Sequence, residues 1–254
     1  MKLLLSIIIP LTIGTVWCLA LVINRRNVQK HHRSGNPDSD LIIFVEPVRW
    51  LFIIWGFASF CRGLRLKNCA HHVRLFRWSS TLGSLLVFPD LMQRKRSKRK
   101  ARQLARYIDQ CAADYPDKPI HLVGYSSGTY ITLEACRRIT NPKVIDTIIL
   151  VAGSVSPHYA LENLSGRVES VHVFYSRLDL ITMLGPLLFG SNDRRHGPAS
   201  GTVGFKKPPA FVGQRGWRPE DIILGYMGDH FSVLSSRFVA RHMAPLLSNT
   251  NAGS

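Results

Sequence analysis

Short apolar runs alternate with segments of helical periodicity over most of this chain, and this alternation constrains the fold more than any other feature. Near-continuous runs rich in Val, Ile and Leu are typical of strands buried on both faces of a parallel sheet. We expect strands at 41–45, 73–78, 120–124, 144–152, 168–176 and 221–226, and helices at 50–64, 99–114, 129–139 and 231–247. The pattern predicts a three-layer α/β fold, in which helices cover both faces of a mostly parallel sheet of about six strands.

A charge-free apolar segment, Leu3–Ile23, precedes this pattern. It is long enough to cross a bilayer as one helix, which needs about 20 residues. The competing interpretation is a cleaved signal peptide, whose apolar region spans roughly 7–15 residues and ends at a small-x-small site. The length of the segment and its poor cleavage site favour an uncleaved, single-pass anchor. Basic residues are more numerous after the segment than before it, so we expect the globular part in the cytoplasm, whereas cleavage would export it.

The apolar pattern divides the chain into four parts. Residues 1–24 are predicted as a membrane anchor, and the polar stretch 25–40, which contains Gly and Pro, as a linker. Residues 41–248 make up one α/β domain, and we expect 249–254 to be a disordered tail. The five cysteines are irregularly spaced without a CxxC pair, which favours a reducing compartment over a disulfide framework.

The net charge of +17 favours association with anionic surfaces. Part of this charge is concentrated in the basic run 94–100, RKRSKRK, which continues to Arg102 and Arg106. The run is either a solvated loop and helix start or a contact with anionic lipid, to which each Lys or Arg near the surface adds about 1 kcal/mol. Aromatic residues do not alternate with these charges as they do in single-strand binding sites, which argues against nucleic acid as a partner.

Residues Gly124-Tyr125-Ser126-Ser127-Gly128 match the pattern G-x-S-x-G between a predicted strand and a predicted helix. In this context the pattern is typical of a nucleophile elbow, a strained turn that lifts the central serine above the sheet. Ser126 is therefore the candidate nucleophile, and the backbone N–H of Ser127 is a candidate oxyanion donor at the start of the helix. A Ser/Gly-rich helix cap is the alternative interpretation.

A serine hydroxyl needs a base to take its proton, and the base needs a carboxylate that orients it. His230 follows the last predicted strand and precedes the closing helix, which places it at a strand end. His196 lies in a polar loop and His242 lies well inside the closing helix, so both fit this role less well. We predict His230 as the base, while an ordinary loop role is the alternative.

Asp179 is the candidate acid because it follows a predicted strand through a short turn. Catalytic groups of open α/β sheets lie at the carboxyl ends of strands. Asp229 adjoins His230 and should point elsewhere, Asp193 lies in a Gly-rich loop, and Asp221 begins a predicted strand rather than ending one. The alternative for Asp179 is a helix-start residue without chemistry.

With GYSSG, SRLD and GDHFS in this order, the region 41–247 resembles the α/β-hydrolase superfamily, and in particular its small, capless esterase- and lipase-like members. In that superfamily an early strand typically ends in His-Gly, and the next backbone N–H completes the oxyanion hole. Here the strand is followed by Glu46 and Pro47, and proline has no N–H. Val48 is the candidate for the second donor, and a charged Glu46 near the site would be unfavourable for an oxyanion.

The resemblance implies a serine hydrolase that acts on carboxylic ester or thioester bonds through Ser126, Asp179 and His230, and the apolar segment Leu3–Ile23 predicts that it is anchored in a membrane. The substrate would be a small-molecule or lipid ester, and no metal or organic cofactor is implied. A catalytically degenerate, hydrolase-like module that docks on anionic membrane is the alternative, which the departure at Glu46 and Pro47 supports.

The connection between the strands at 144–152 and 168–176 is too short for a cap domain. The long Gly/Pro-rich stretch 184–217 lies between the predicted acid and the predicted base. Long loops in this position often carry specificity, so we expect this stretch to wall the pocket.

Overall fold

The central element of the fold is a parallel six-stranded sheet with the strand order β2-β1-β3-β4-β5-β6. The structure is a computed structural model that describes residues 2–49, 53–69, 71–79, 94–116, 118–141 and 144–248, with side chains from residue 15 onward. The strands are β1 (Leu41–Val45), β2 (His72–Phe76), β3 (Ile120–Tyr125), β4 (Ile145–Val151), β5 (Val168–Tyr175) and β6 (Val212–Gly216).

Helices cover both faces of this sheet, and eight α-helices lie within the described residues. They are α1 (Lys2–His31), α2 (Phe57–Leu66), α3 (Arg94–Asp114), α4 (Gly128–Cys136), α5 (Leu180–Phe189), α6 (Ser200–Val203), α7 (Ser236–Phe238) and α8 (Ala244–Ser248). A π-helical turn, Val239–Met243, joins the last two, and short 3-10 helices occupy Leu161–Leu164, Pro219–Leu224 and Ser232–Leu234.

Two apolar clusters fill the space between the sheet and its helices. Alternate residues of a strand point to opposite faces, so Ile43 of β1 joins the cluster beneath α3 and α4, whereas Phe44 joins the cluster beneath α2 and the C-terminal helices. Both faces of the central strands are therefore buried. This arrangement confirms the predicted three-layer α/β architecture with a parallel sheet.

The last predicted strand, 221–226, is wrong. These residues fall in and just after the 3-10 helix Pro219–Leu224, and the sixth strand is β6, inside the stretch expected to be a loop. Pro219 stands at the start of the 3-10 helix, where its fixed φ and missing N–H are tolerated. The buried carboxylate of Asp221 accepts hydrogen bonds from the Arg215 guanidinium and the Arg218 amide, whereas Ile223 is exposed.

Helix α1 extends past the predicted anchor and into the segment expected to be a linker. Its last two turns pack on the domain, since Val28 and His31 are buried and the Asn24 side chain bonds both backbone groups of Ile54. In the predicted span Leu3–Ile23, the side chains before residue 15 lie outside the described ones. Within the described residues, no helix combines the length and the apolar character needed to span a membrane. The predicted tail, 249–254, lies outside the described residues.

The basic run 94–106 is helical throughout and forms the start of α3. Ser97, Ala101, Leu104 and Ala105 are buried, while most of the cationic side chains are exposed on the opposite face of the helix. The run is therefore the solvent side of an amphipathic helix rather than a loop.

Candidate active site

Ser126 sits on a sharp turn between β3 and α4. Its φ of 54° lies in the left-handed region, which is strained for a residue with a side chain. Glycines on both sides let the strand, the turn and the helix pass closely. A Cβ on Gly128 would lie 2.6 Å from the carbonyl oxygen of Val45, and one on Gly124 would lie 2.8 Å from Thr132 Oγ1. The turn thus has the backbone geometry of a nucleophile elbow.

The structure brings the three predicted side chains together at the carboxyl edge of the sheet. Ser126 Oγ lies 3.0 Å from His230 Nε2, and His230 Nδ1 lies 2.8 Å from Asp179 Oδ2. Because a carboxylate can only accept, Nδ1 carries the proton and donates to Asp179, which leaves Nε2 to accept from the Ser126 hydroxyl. His230 and Asp179 are buried, with 6% and 1% of their surface exposed, so the hydrogen bond between them is shielded from water, whereas the one to the half-buried Ser126 is partly accessible.

Asp179 serves two purposes, because each carboxylate oxygen has its own partners. Oδ1 accepts hydrogen bonds from the amides of Ile181 and Thr182 and so caps the N-terminus of α5. Oδ2 faces His230. The cap holds the carboxylate in one orientation, so Asp179 is a helix-start residue whose second oxygen lies where the acid interpretation requires it.

Tyr125, which sequence reasoning missed, holds the loop that carries His230. Its hydroxyl donates to the carbonyl oxygen of His230 at 2.8 Å, and its ring stacks on the imidazole with centroids 5.4 Å apart. Burial, followed by the nearby charges of Asp179 and Asp229, raises the pKa of Tyr125 well above its usual value. The residue occupies a variable position of the G-x-S-x-G pattern, so the pattern itself carries no signal for it.

The rival candidates have other partners. Asp229 accepts from the amides of Phe231 and Ser232 and from the Ser232 hydroxyl, as expected of a side chain that points away from His230. Asp193 bonds Ser156 and Ser191. His242 lies near Asp221, and His196 approaches a carbonyl oxygen of α5.

The two predicted oxyanion donors differ in their surroundings. The Ser127 amide stands at the N-terminal end of α4, and no described residue accepts a hydrogen bond from it. The Val48 amide, by contrast, donates to Ser127 Oγ at 2.8 Å. Val48 is thus not free to bind an oxyanion in this arrangement, because the neighbouring serine hydroxyl already occupies its N–H. The sequence prediction treated the two serines of the motif separately and missed this contact.

Glu46 is fully buried but does not place an unpaired charge beside Ser126. Its carboxylate forms a bidentate ion pair with Arg49, at 3.1 and 3.2 Å. The same carboxylate accepts from the amides of Trp78 and Ser79 and from the Ser79 hydroxyl. These donors anchor the segment after β2 to the end of β1, so Glu46 has a structural function at the position where the superfamily typically has histidine.

Replacing Glu46 with glutamine is expected to lower the free energy of unfolding by about 3–5 kcal/mol, because one partner of a buried ion pair is left uncompensated. Urea denaturation measures this change. The matched control is Glu162→Gln, since Glu162 is exposed and should change stability by about 0.5 kcal/mol or less. Equal stabilities for the two variants would contradict the assignment of Glu46 as a structural anchor.

A pocket of about 100 Å³ opens beside Ser126. Its wall is formed largely by α5 and the residues that follow, which confirms that the first part of the stretch 184–217 borders the site. The lining residues are Ser126, Ser154, Ile181, Thr182, Gly185, Pro186, Phe189, Gly190, Ser191 and Asn192. Asn192 is a further residue that the sequence did not indicate: its side-chain nitrogen is buried and has no hydrogen-bond partner in the described part of the chain.

The solved structures that resemble this one include three hydrolases. An acylaminoacyl peptidase from Pyrococcus horikoshii has 10% identity and a TM-score of 0.50, covering 84% of this chain but only 37% of the peptidase. A cutinase from Trichoderma reesei, in complex with a phosphonate inhibitor, has 14% identity and a TM-score of 0.43, covering 94% and 92% of the two chains. An acetyl ester-xyloside bifunctional hydrolase from Caldicellulosiruptor lactoaceticus has 14% identity and a TM-score of 0.41, covering 84% and 82%.

Sequence identities of 10–14% support a similarity of fold only. No protein-family model matches the chain, and no curated protein matches it. The likeness to the peptidase, together with the parallel sheet and the strained turn at Ser126, identifies the α/β-hydrolase fold. The resemblance inferred from the three sequence motifs is confirmed at this level.

Proposed function

We propose that this protein is a serine hydrolase that cleaves carboxylic esters or thioesters. The observation that carries the proposal is the continuous hydrogen-bonded path from Ser126 Oγ through the His230 imidazole to Asp179 Oδ2. A hydroxyl on a strained turn, a base within hydrogen-bond reach and a carboxylate that orients the base are the three elements of nucleophilic acyl transfer.

In the first half of the reaction, Ser126 Oγ attacks the substrate carbonyl carbon while its proton passes to His230 Nε2. Asp179 stabilises the imidazolium that forms, because its carboxylate remains hydrogen-bonded to Nδ1. The carbonyl oxygen becomes an oxyanion, which the Ser127 amide and the N-terminal end of α4 stabilise. His230 then returns its proton to the departing alcohol or thiol, and the acyl group remains on Ser126.

In the second half, water attacks the acyl-enzyme. His230 takes a proton from this water, the second tetrahedral intermediate collapses, and the proton returns to Ser126 as the carboxylic acid leaves. The buried Asp179 keeps the same imidazole tautomer ready for both halves. The Val48 amide becomes a second oxyanion donor only when the Ser127 hydroxyl rotates away from it.

The surroundings of the pocket favour a substrate with an apolar acyl group. Ile181, Pro186 and Phe189 line the pocket, and α5 also presents apolar side chains to solvent. Those exposed on α5 are Leu180, Ile181, Leu184, Leu187, Leu188 and Phe189. An exposed apolar patch of this kind beside a pocket is typical of a surface that binds an apolar ligand or a lipid interface.

Membrane attachment is part of the proposal. It is supported by the apolar composition of Leu3–Ile23 and by the outward-facing cations of the basic run 94–106. Such cations are attracted to an anionic leaflet. A lipid ester would then reach the apolar surface of α5 from the membrane in which the enzyme is held.

A fluorophosphonate probe tests the proposed chemistry on the unmodified protein. We expect one covalent adduct, and tandem mass spectrometry of a digest should place it on Ser126, because among the described hydroxyls only this one contacts the His230 imidazole. Labelling should disappear after thermal unfolding, since the activated hydroxyl depends on the folded site. A folded protein that takes up no probe would contradict the hydrolase and favour a degenerate module, and an adduct on another serine would contradict the choice of nucleophile.

A further inference from the structure

A second concave site lies between the C-terminal end of α1 and α2. It is a pocket of about 510 Å³, and it shares no residue with the pocket beside Ser126. Three of its lining residues are lysine or arginine, and none is acidic. The lining residues are Asn27, Lys30, His31, Arg62, Arg65, Leu66 and Ser236.

The cations of this pocket have no anionic partner within the described chain. Neither Lys30 nor Arg62 forms an ion pair with a described carboxylate, whereas Arg49 and Arg215 pair with Glu46 and Asp221. Assembling like charges around a concavity costs free energy unless an anion compensates them. The arrangement therefore points to an anionic ligand.

His31 lies at the bottom of this positive region. Arg65 Nη2 lies 2.8 Å from Nδ1 and 3.0 Å from Nε2 of its ring. Because a guanidinium only donates, one of these two nitrogens has to accept, which requires a neutral ring. Burial lowers the pKa of His31 from 6.5 to about 4, with further contributions from Arg65, Arg62 and Lys30. The ring is neutral at pH 7, so the positive field of the pocket comes from the three longer side chains.

An exposed apolar stripe of α1 leads to this pocket. Val16, Leu19 and Ile23 are 68%, 58% and 49% exposed. Their spacing of three and four residues continues to Asn27 and Lys30, so all five side chains share one face of the helix. Along that face, apolar side chains come first and cationic side chains follow, which is the order of acyl chain and phosphate in a phospholipid.

We propose that the pocket between α1 and α2 binds the phosphate group of an anionic phospholipid, whose acyl chains lie along the apolar stripe of α1. Lys30, Arg62 and Arg65 compensate the phosphate charge through charge-assisted hydrogen bonds. Asn27 and Ser236 supply neutral polar groups at the same pocket. This site does not depend on the proposed hydrolase activity, since none of its residues belongs to the Ser126 site.

The test uses the full chain in neutral-detergent micelles and isothermal titration calorimetry with a short-chain phosphatidic acid. Short-chain phosphatidylcholine and inorganic phosphate serve as the two comparison ligands. We expect phosphatidic acid to bind more tightly than either one, because only it offers both an anionic phosphate and acyl chains. The double variant Lys30→Gln, Arg62→Gln should bind phosphatidic acid about 30-fold more weakly, which corresponds to about 1 kcal/mol for each charge.

The matched control is Lys206→Gln, Lys207→Gln, which removes the same charge from an exposed loop. Its affinity should stay within about twofold of the wild type, because screening limits the influence of distant surface charges. Equal weakening in both double variants would overturn the proposal in favour of diffuse attraction to a basic protein. Inorganic phosphate that binds as tightly as phosphatidic acid would overturn the lipid as the source of the phosphate, and no binding of phosphatidic acid would overturn the site itself.

Discussion

Replacing Ser126 with alanine is expected to lower kcat for ester hydrolysis by about 10⁶-fold, because the acyl-enzyme can no longer form. The remaining rate would come from substrate binding and oxyanion stabilisation by the Ser127 amide, which the substitution leaves in place. The fold should be retained. Alanine also relieves little of the strain at φ 54°, so any change in stability reflects the hydroxyl alone. Steady-state hydrolysis of nitrophenyl esters measures the loss.

The control for this variant is Ser165→Ala, because Ser165 is an exposed turn residue distant in sequence from the elbow. Its kcat should equal that of the wild type. Circular dichroism and urea denaturation of both variants separate a lost nucleophile from a lost fold. A Ser126→Ala variant that hydrolyses esters within about tenfold of the wild-type rate would contradict the prediction. Such a rate is far above the residual rate of an enzyme without its nucleophile, so another group would have to carry the activity.

Replacing Asp179 with asparagine is expected to lower kcat by about 10⁴-fold while the helix start survives. An asparagine side-chain oxygen can still accept from the amides of Ile181 and Thr182 and so cap α5. Its NH₂ group, however, cannot accept the proton of His230 Nδ1 and favours the tautomer with the proton on Nε2. In that tautomer His230 cannot take a proton from Ser126.

Three variants distinguish the two functions of Asp179. Asp179→Ala should lose both the rate and about 1 kcal/mol of stability, because the cap is gone. Asp109→Asn is the matched control, since Asp109 accepts a backbone amide hydrogen bond from Thr140 outside the site. Its rate should be unchanged. If Asp179→Ala loses the rate but Asp179→Asn keeps near wild-type activity, then Asp179 acts only as a helix cap and does not orient His230.

Much of the sheet could be predicted from local apolar pattern. The expected strand 41–45 has the same bounds as β1. The expected strands 120–124 and 168–176 differ from β3 and β5 by one residue at one end, and the expected strand 144–152 differs from β4 by one residue at each end. β1 and β3 are buried along their whole length and β4 at all but one position, and apolar residues fill most positions of all four strands. A strand that is buried on both faces can therefore be predicted from a single sequence.

The sixth strand could not be found in this way. β6 is an edge strand whose residues are Val212, three polar or glycine positions and Gly216, so only one of its side chains is apolar and buried. The segment after it has the apolar residues expected of a strand, but Pro219 and the contacts of Asp221 with Arg215 make it a 3-10 helix. Pairing at a sheet edge depends on the neighbouring strand, which local composition does not encode.

For the candidate site, the sequence alone determined the order and the strand-end positions of Ser126, Asp179 and His230, because a parallel sheet collects strand ends at one edge. Only the tertiary structure decided their distances, the support of His230 by Tyr125, the occupation of the Val48 amide by Ser127 and the burial of Glu46 against Arg49. Each of these contacts joins a side chain to another side chain or to the backbone, with distances and angles that the spacing of residues along the chain does not specify.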